Sequence, residues 1–146
     1  MYRKFMIAAN CLLALSTAMF ASQCHPFMAS GTYLTTLNGW ATLAVMNQVP
    51  VVAPVAGLGK GALDESGAFS LPFDWTLAGQ HRSGTITGNI TVNRDCTVAF
   101  KVDCGEACVW EGSGFYLLRD REMHLLVTKT NDYPLTTVVV LRRVEN

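Results

Sequence analysis

The chain reads as an all-β protein, a single antiparallel eight-stranded up-and-down barrel that follows a cleaved signal peptide. Three observations predict this. Apolar residues recur at every second position in several runs. Turn-forming clusters separate those runs at short intervals. No long segment after Cys24 carries a helical period.

The N-terminal segment is set apart first. Met1-Tyr2-Arg3-Lys4 is a short basic start, and Phe5 to Ala21 follows without a charge. That pattern predicts a secretory signal over residues 1–21, with small residues near its end, and a barrel domain over 22–146. The competing reading is an uncleaved anchor, but the apolar stretch sits at the short edge of what spans a bilayer. The expected location is secreted or periplasmic. Removing Arg3 and Lys4 leaves 9 basic against 11 acidic residues, a net charge of −2. A nucleic-acid partner would want a basic face, so none is expected. No membrane partner is expected after cleavage, and the oligomeric state is open.

Cys11 would leave with the signal, and four cysteines remain: Cys24, Cys96, Cys104 and Cys108. An even set in an oxidising compartment predicts disulfides. Three pairings are possible. Cys104–Cys108, clasping the turn between them, is preferred, with Cys24–Cys96 as a long staple. The spacing matches no zinc pattern, so no metal is expected. No cofactor is expected either, because the chain has no phosphate loop and no dinucleotide fingerprint.

The strands are taken in order. Phe69, Leu71, Phe73, Trp75 and Leu77 alternate with Ser70, Pro72, Asp74 and Thr76, which predicts a strand with one dry face. Pro72 has no amide donor, so it marks an edge, a bulge or a bend. Ile86, Gly88, Ile90 and Val92 repeat the pattern, and Val98, Phe100 and Val102 do so again. The predicted strands are 31–46, 54–63, 68–78, 83–92, 96–102, 108–118, 122–129 and 135–143. Short connections favour a meander, and eight meander strands can close into a barrel without edges. A sandwich would need longer crossings. Residues 47–61, with two prolines and three glycines, read as a loop over a barrel mouth followed by a bent strand.

Two segments carry a resemblance. Gly84-Thr85-Ile86-Thr87-Gly88-Asn89-Ile90-Thr91-Val92-Asn93-Arg94-Asp95-Cys96-Thr97 resembles a segment of small secreted proteins with an allene-oxide-cyclase-like barrel. Gly57 to Gly67 is similar to a glycine-rich hairpin of that group, and Gly31-Thr32-Tyr33 to its opening. Ile90 and Val98 depart from the pattern, which usually has an aromatic and a glycine there. The resemblance implies a barrel. It extends to cyclases that fold a reactive apolar substrate, but these motifs describe strands and turns rather than chemistry.

The chemical candidates are few. Glu111 lies on the alternation Val109, Ser113, Phe115, Leu117. If that face were interior, burial would raise its pKa and make it a general acid or base. The alternative places it at the barrel rim, in water. Trp110 and Tyr116 fall on the opposite face unless Gly112 or Gly114 marks a bulge. His124, on a predicted strand, is the second catalytic candidate; a hydrogen-bonded structural histidine is its alternative. Tyr33, Trp40, Trp75, Trp110, Phe115 and Tyr116 could hold an apolar ligand or simply fill the core. Asn89-Ile90-Thr91 is a glycosylation sequon.

The functional expectation is a barrel that binds a small apolar molecule and steers its cyclisation or isomerisation by shape. The alternatives are a non-catalytic carrier and an extracellular interaction protein with a filled core. A measured cavity separates the last from the other two.

Overall fold

A computed structural model describes residues 23–105, 108–131 and 134–144. The predicted signal segment, 1–21, lies outside the described residues. Eight strands follow a short 3-10 turn at Pro26–Ala29: β1 Gly31–Met46, β2 Val49–Leu63, β3 Ala68–Leu77, β4 Gln80–Val92, β5 Thr97–Asp103, β6 Val109–Leu117, β7 Glu122–Thr130 and β8 Leu135–Arg143. Each pairs antiparallel with the next, and β8 closes on β1 from Tyr33↔Arg143 to Ala41↔Leu135. The fold is the closed up-and-down barrel that the alternation predicts.

Alternation explains the inside. β3 points Phe69, Leu71 and Phe73 inward, β5 points Val98, Phe100 and Val102, and β7 points Met123, Leu125 and Val127. An eight-stranded barrel is just wide enough for such side chains to fill it. Glycine makes the filling possible at two places. A Cβ at Gly57 would run into the Phe73 ring, and one at Gly112 would meet both the Phe100 ring and the Leu126 carbonyl. Aromatic rings therefore lie directly over bare backbone.

Pro72 sits where β2 and β3 open. Their ladder holds at Gly59↔Phe73 and again at Ala62↔Ser70, but not between. The missing proline donor costs nothing at that gap.

One mouth is closed by the N-terminal segment. Cys24 is fully buried, bonds covalently to Cys96, and donates its backbone N–H to the Arg94 carbonyl. From there the chain crosses the barrel end. Tyr33 Oη donates to the Ala29 carbonyl at 2.6 Å, and Tyr116 Oη to that of Met28 at 3.2 Å. The second disulfide joins Cys104 to Cys108 across the β5–β6 turn. Both preferred pairings are present, and two disulfides fit an extracellular or oxidising compartment.

The other mouth departs from expectation. Residues 47–53 form no loop over it. β1 and β2 continue as a hairpin, paired to Met46↔Val49 around a two-residue turn. Asn47 and Gln48 both have positive φ, 50° and 65°, as the primed hairpin turn requires. β8 leaves β1 at Ala41, and β3 leaves β2 at Val55, so the hairpin stands clear of the barrel. Pro50 and Pro54 are compatible with β2 because their nitrogens face that strand's outer edge, beyond the last ladder pair with β3, where no donor is called for.

Candidate functional site

The interior is the first place to seek a site. A cavity there, bordered by Phe69, Phe73, Phe100, Trp110 and Leu125 among other described residues, measures about 40 Å³. That volume holds a few water molecules, at about 10–15 Å³ each on this measure. Ligand pockets run to roughly 300–1,000 Å³. Among the described lining residues, polar atoms come from the Thr35 hydroxyl and the Trp110 indole; the rest are aliphatic or phenyl side chains. The Thr35 hydroxyl, and that of Thr137, are buried without a hydrogen-bond partner.

Glu111 does not face this interior, which corrects the first alternative for it. The bulge that could have turned β6 exists, but its extra residue is on β7. Glu111 pairs with Lys129 and Gly112 with Val127, leaving Thr128 unmatched. β6 keeps its parity: Trp110 and Tyr116 are buried, while Phe115 and Leu117 are exposed. On the outer wall the Glu111 carboxylate takes Lys101 Nζ at 3.3 Å and Lys129 Nζ at 3.2 Å. The hydrogen bond from Lys129, then that from Lys101, holds its pKa below the ordinary carboxylate value. A general acid or base near neutrality would need the opposite shift.

His124 is also outside. Its Nε2 lies 3.1 Å from Glu122 Oε2, and Arg142 pairs with the other oxygen of that carboxylate. Arg142 first, then His124, lowers the Glu122 pKa. Across the β6–β7 ladder His124 faces Phe115, whereas Glu111 faces Lys129. Four residues of strand, on the order of 13 Å, therefore separate the two catalytic candidates, and the structure does not bring them together.

The aromatics divide as well. Tyr33, Trp110 and Tyr116 are buried inside. Burial, followed by the nearby Tyr116, pushes the Tyr33 pKa above its ordinary value. Trp75 is half-buried at the upper rim, 6.1 Å from Phe73 between ring centroids and stacked over the space at Gly84. Trp40 and Phe115 lie on the outer wall, 55% and 62% exposed. No shared pocket collects the six. Asn89 is exposed on β4 beside the Lys101–Glu111 groove. Among the described residues no group of His, Cys, Asp and Glu could hold a metal ion.

One feature escaped the sequence reading. Leu43, Val45, Met46, Val49, Val51 and Val52, all on the free hairpin, are exposed. Its signal was present as 34 consecutive residues, 26–59, with no Lys, Arg, Asp or Glu.

No protein-family model matches the chain, and a search of curated proteins finds no match.

Proposed function

We propose that this chain is an exported interaction module: a barrel filled by its own side chains that works through its outer surface. The observation that carries this reading is the size of the interior cavity bounded by described residues, about 40 Å³, an order of magnitude below a ligand pocket. The basic-then-apolar N-terminus and the two disulfides support export to an exterior or periplasmic space. We keep the likeness to allene-oxide-cyclase-like barrels as a proposal about architecture, resting on residues 31–33, 57–67 and 84–97. Cyclisation has no support in the site. The interior cavity bounded by described residues is too small for a folded polyene, and the two proposed proton-transfer residues sit apart on the outer wall, Glu111 between two lysines and His124 beside Glu122. The same small cavity weighs against the carrier reading.

A titration with N-phenyl-naphthylamine, a fluorescent probe of apolar cavities, tests this. The expected result is no saturable one-to-one uptake. Stoichiometric uptake that quenches with Trp110, which lines the cavity, would restore the carrier.

A further inference from the structure

The hairpin tip is apolar on both faces, and that restricts what can cover it. The inner row of the barrel, Ala41 opposite Ala53, continues above the rim as Ala44 opposite Val51 and Met46 opposite Val49. The outer row, Trp40 opposite Pro54, continues as Thr42 opposite Val52 and Val45 opposite Pro50. Leu43 is the residue left over at the bulge. Val45, Met46 and Val49 are 67%, 65% and 63% exposed. A protein laid on one face leaves the other in water.

The edges of the ribbon argue in the same direction. Pro50 and Pro54 remove two donors from the outer edge of β2, and the Pro54 carbonyl already accepts from Ala78 N–H. On β1 the Thr42 N–H donates to the Pro134 carbonyl. Prolines also block strand addition on the β2 side. Pairing a second copy along the β1 edge would still leave both apolar faces wet. A medium that surrounds the ribbon removes both faces from water at once.

We propose that the hairpin tip, Leu43–Met46 with Val49–Val52, is an anchor that seats in the interfacial region of a zwitterionic phospholipid bilayer. This rests on the surface-acting reading and names its partner. The ribbon rises four strand positions above the rim, on the order of 13 Å. Interfacial segments bury about 5–10 Å into the headgroup and acyl boundary, so an inclined ribbon fits that depth. The polar turn Asn47–Gln48 keeps the tip among hydrated headgroups rather than in the hydrocarbon, which also favours an inclined ribbon. Trp40, at the base of the outer row, suits the interface itself. Charge selects the lipid. The hairpin has none, and the charges near the same barrel end are mixed: Asp74 and Arg82 on β3 and β4, and Glu111 against Lys101 and Lys129. No basic collar is present there among the described residues to require anionic headgroups.

The test is cosedimentation of the disulfide-bonded protein with phosphatidylcholine vesicles, at low salt and at about 0.5 M NaCl, where exposed charges are screened. Binding should be saturable and change less than about twofold with salt. Val45→Asp combined with Val49→Asp should weaken partitioning about tenfold or more, with the thermal midpoint within a few degrees of the parent. Should that variant fold poorly, brominated phosphatidylcholine gives an independent measure: it should quench the parent's fluorescence, and Trp40→Phe should remove the quenching. Three outcomes overturn the proposal: no binding to the vesicles, binding abolished by salt, or undiminished binding by the folded double variant. A dimer in the ultracentrifuge that the same variant dissociates, without lipid binding, would assign the hairpin to a second copy instead. Uptake of N-phenyl-naphthylamine inside the barrel would sink the surface reading whatever the vesicles show. A filled interior with no vesicle binding would remove only the lipid.

Discussion

Removing the two disulfides separately should have unequal effects, and the inequality follows from the loops they close. Cys24 and Cys96 are 72 residues apart in sequence, and Cys104 and Cys108 only 4. A crosslink restricts the unfolded chain more as the loop grows. The chain-entropy relation gives about 4 kcal/mol for the long staple and about 2 kcal/mol for the short one. The long bond has a second role, because it holds the segment that covers the lower mouth. Cys24 is fully buried there, and Tyr33 and Tyr116 donate to the adjacent carbonyls of Ala29 and Met28. The Cys24→Ala/Cys96→Ala variant should therefore lose at least about 4 kcal/mol, and Cys104→Ala/Cys108→Ala about 2 kcal/mol. For a domain of this size that corresponds to thermal midpoints lowered by roughly 15 °C and 8 °C. Urea denaturation followed by tryptophan fluorescence measures both, provided the slope with urea is shared with the parent. Equal losses, or a larger loss at Cys104–Cys108, would refute the reasoning. They would mean that the short bond acts on the folded state rather than through the unfolded chain.

The other predictions concern single side chains. Thr35→Val and Thr137→Val each replace a buried hydroxyl that has no partner. Each should raise stability by about 1 kcal/mol in the same urea experiment, and a loss of that size would show that the hydroxyl is bonded to a buried water. The Glu122 pKa is lowered by Arg142 and His124, so its stabilising contribution is present above the unfolded value, about 4.3, and is lost as pH falls through the lower folded value. Glu122→Gln should thus flatten the acid side of the pH–stability profile, and an unchanged slope would contradict the ion pair. Asn89 is exposed, so expression through a eukaryotic secretory pathway should add one glycan that Asn89→Gln removes; a mass without that difference counts against the sequon.

The strands were legible because one side of each is dry. β3, β5 and β7 alternate cleanly, and their predicted and observed limits differ by two residues at most. The sequence places the start of β2 at residue 54 because two prolines precede or occupy that point; the strand starts at Val49 because the proline nitrogens face its outer edge, beyond the last β3 ladder pair at Val55↔Leu77. Glu111 shows a different limit. The alternation correctly sets it opposite Trp110 and Tyr116, but leaves open which of the two rows faces the interior. The outward row of β6 holds Val109, Phe115 and Leu117, whereas the inward row includes Gly112 and Gly114. Glycine scores as weakly apolar, yet here it is the inside residue. The Phe100 ring and the β7 backbone already occupy the space that side chains at Gly112 and Gly114 would need. That information lies in the neighbouring strands, not in β6.

The filled interior and the bare hairpin are connected through this same use of space. Phe69, Phe73, Phe100 and Trp110 pack into the interior of this barrel, with Gly57 and Gly112 giving way to two of the rings. The apolar residues of residues 43–52 have no room inside. Nor do they serve the sheet, since the barrel closes through β8 and β1 below Thr42. They raise the exposed apolar surface on a hairpin that carries no charge to offset it. A chain selected only to fold would end β1 and β2 at the rim, with a polar two-residue turn near Ala41 and Ala53. The four extra pairs make sense if the hairpin leaves water when the protein acts. Shortening it to the rim should therefore leave the barrel's thermal midpoint within a few degrees of the parent while abolishing its surface binding. A barrel that unfolds on that deletion would show instead that the hairpin belongs to the fold.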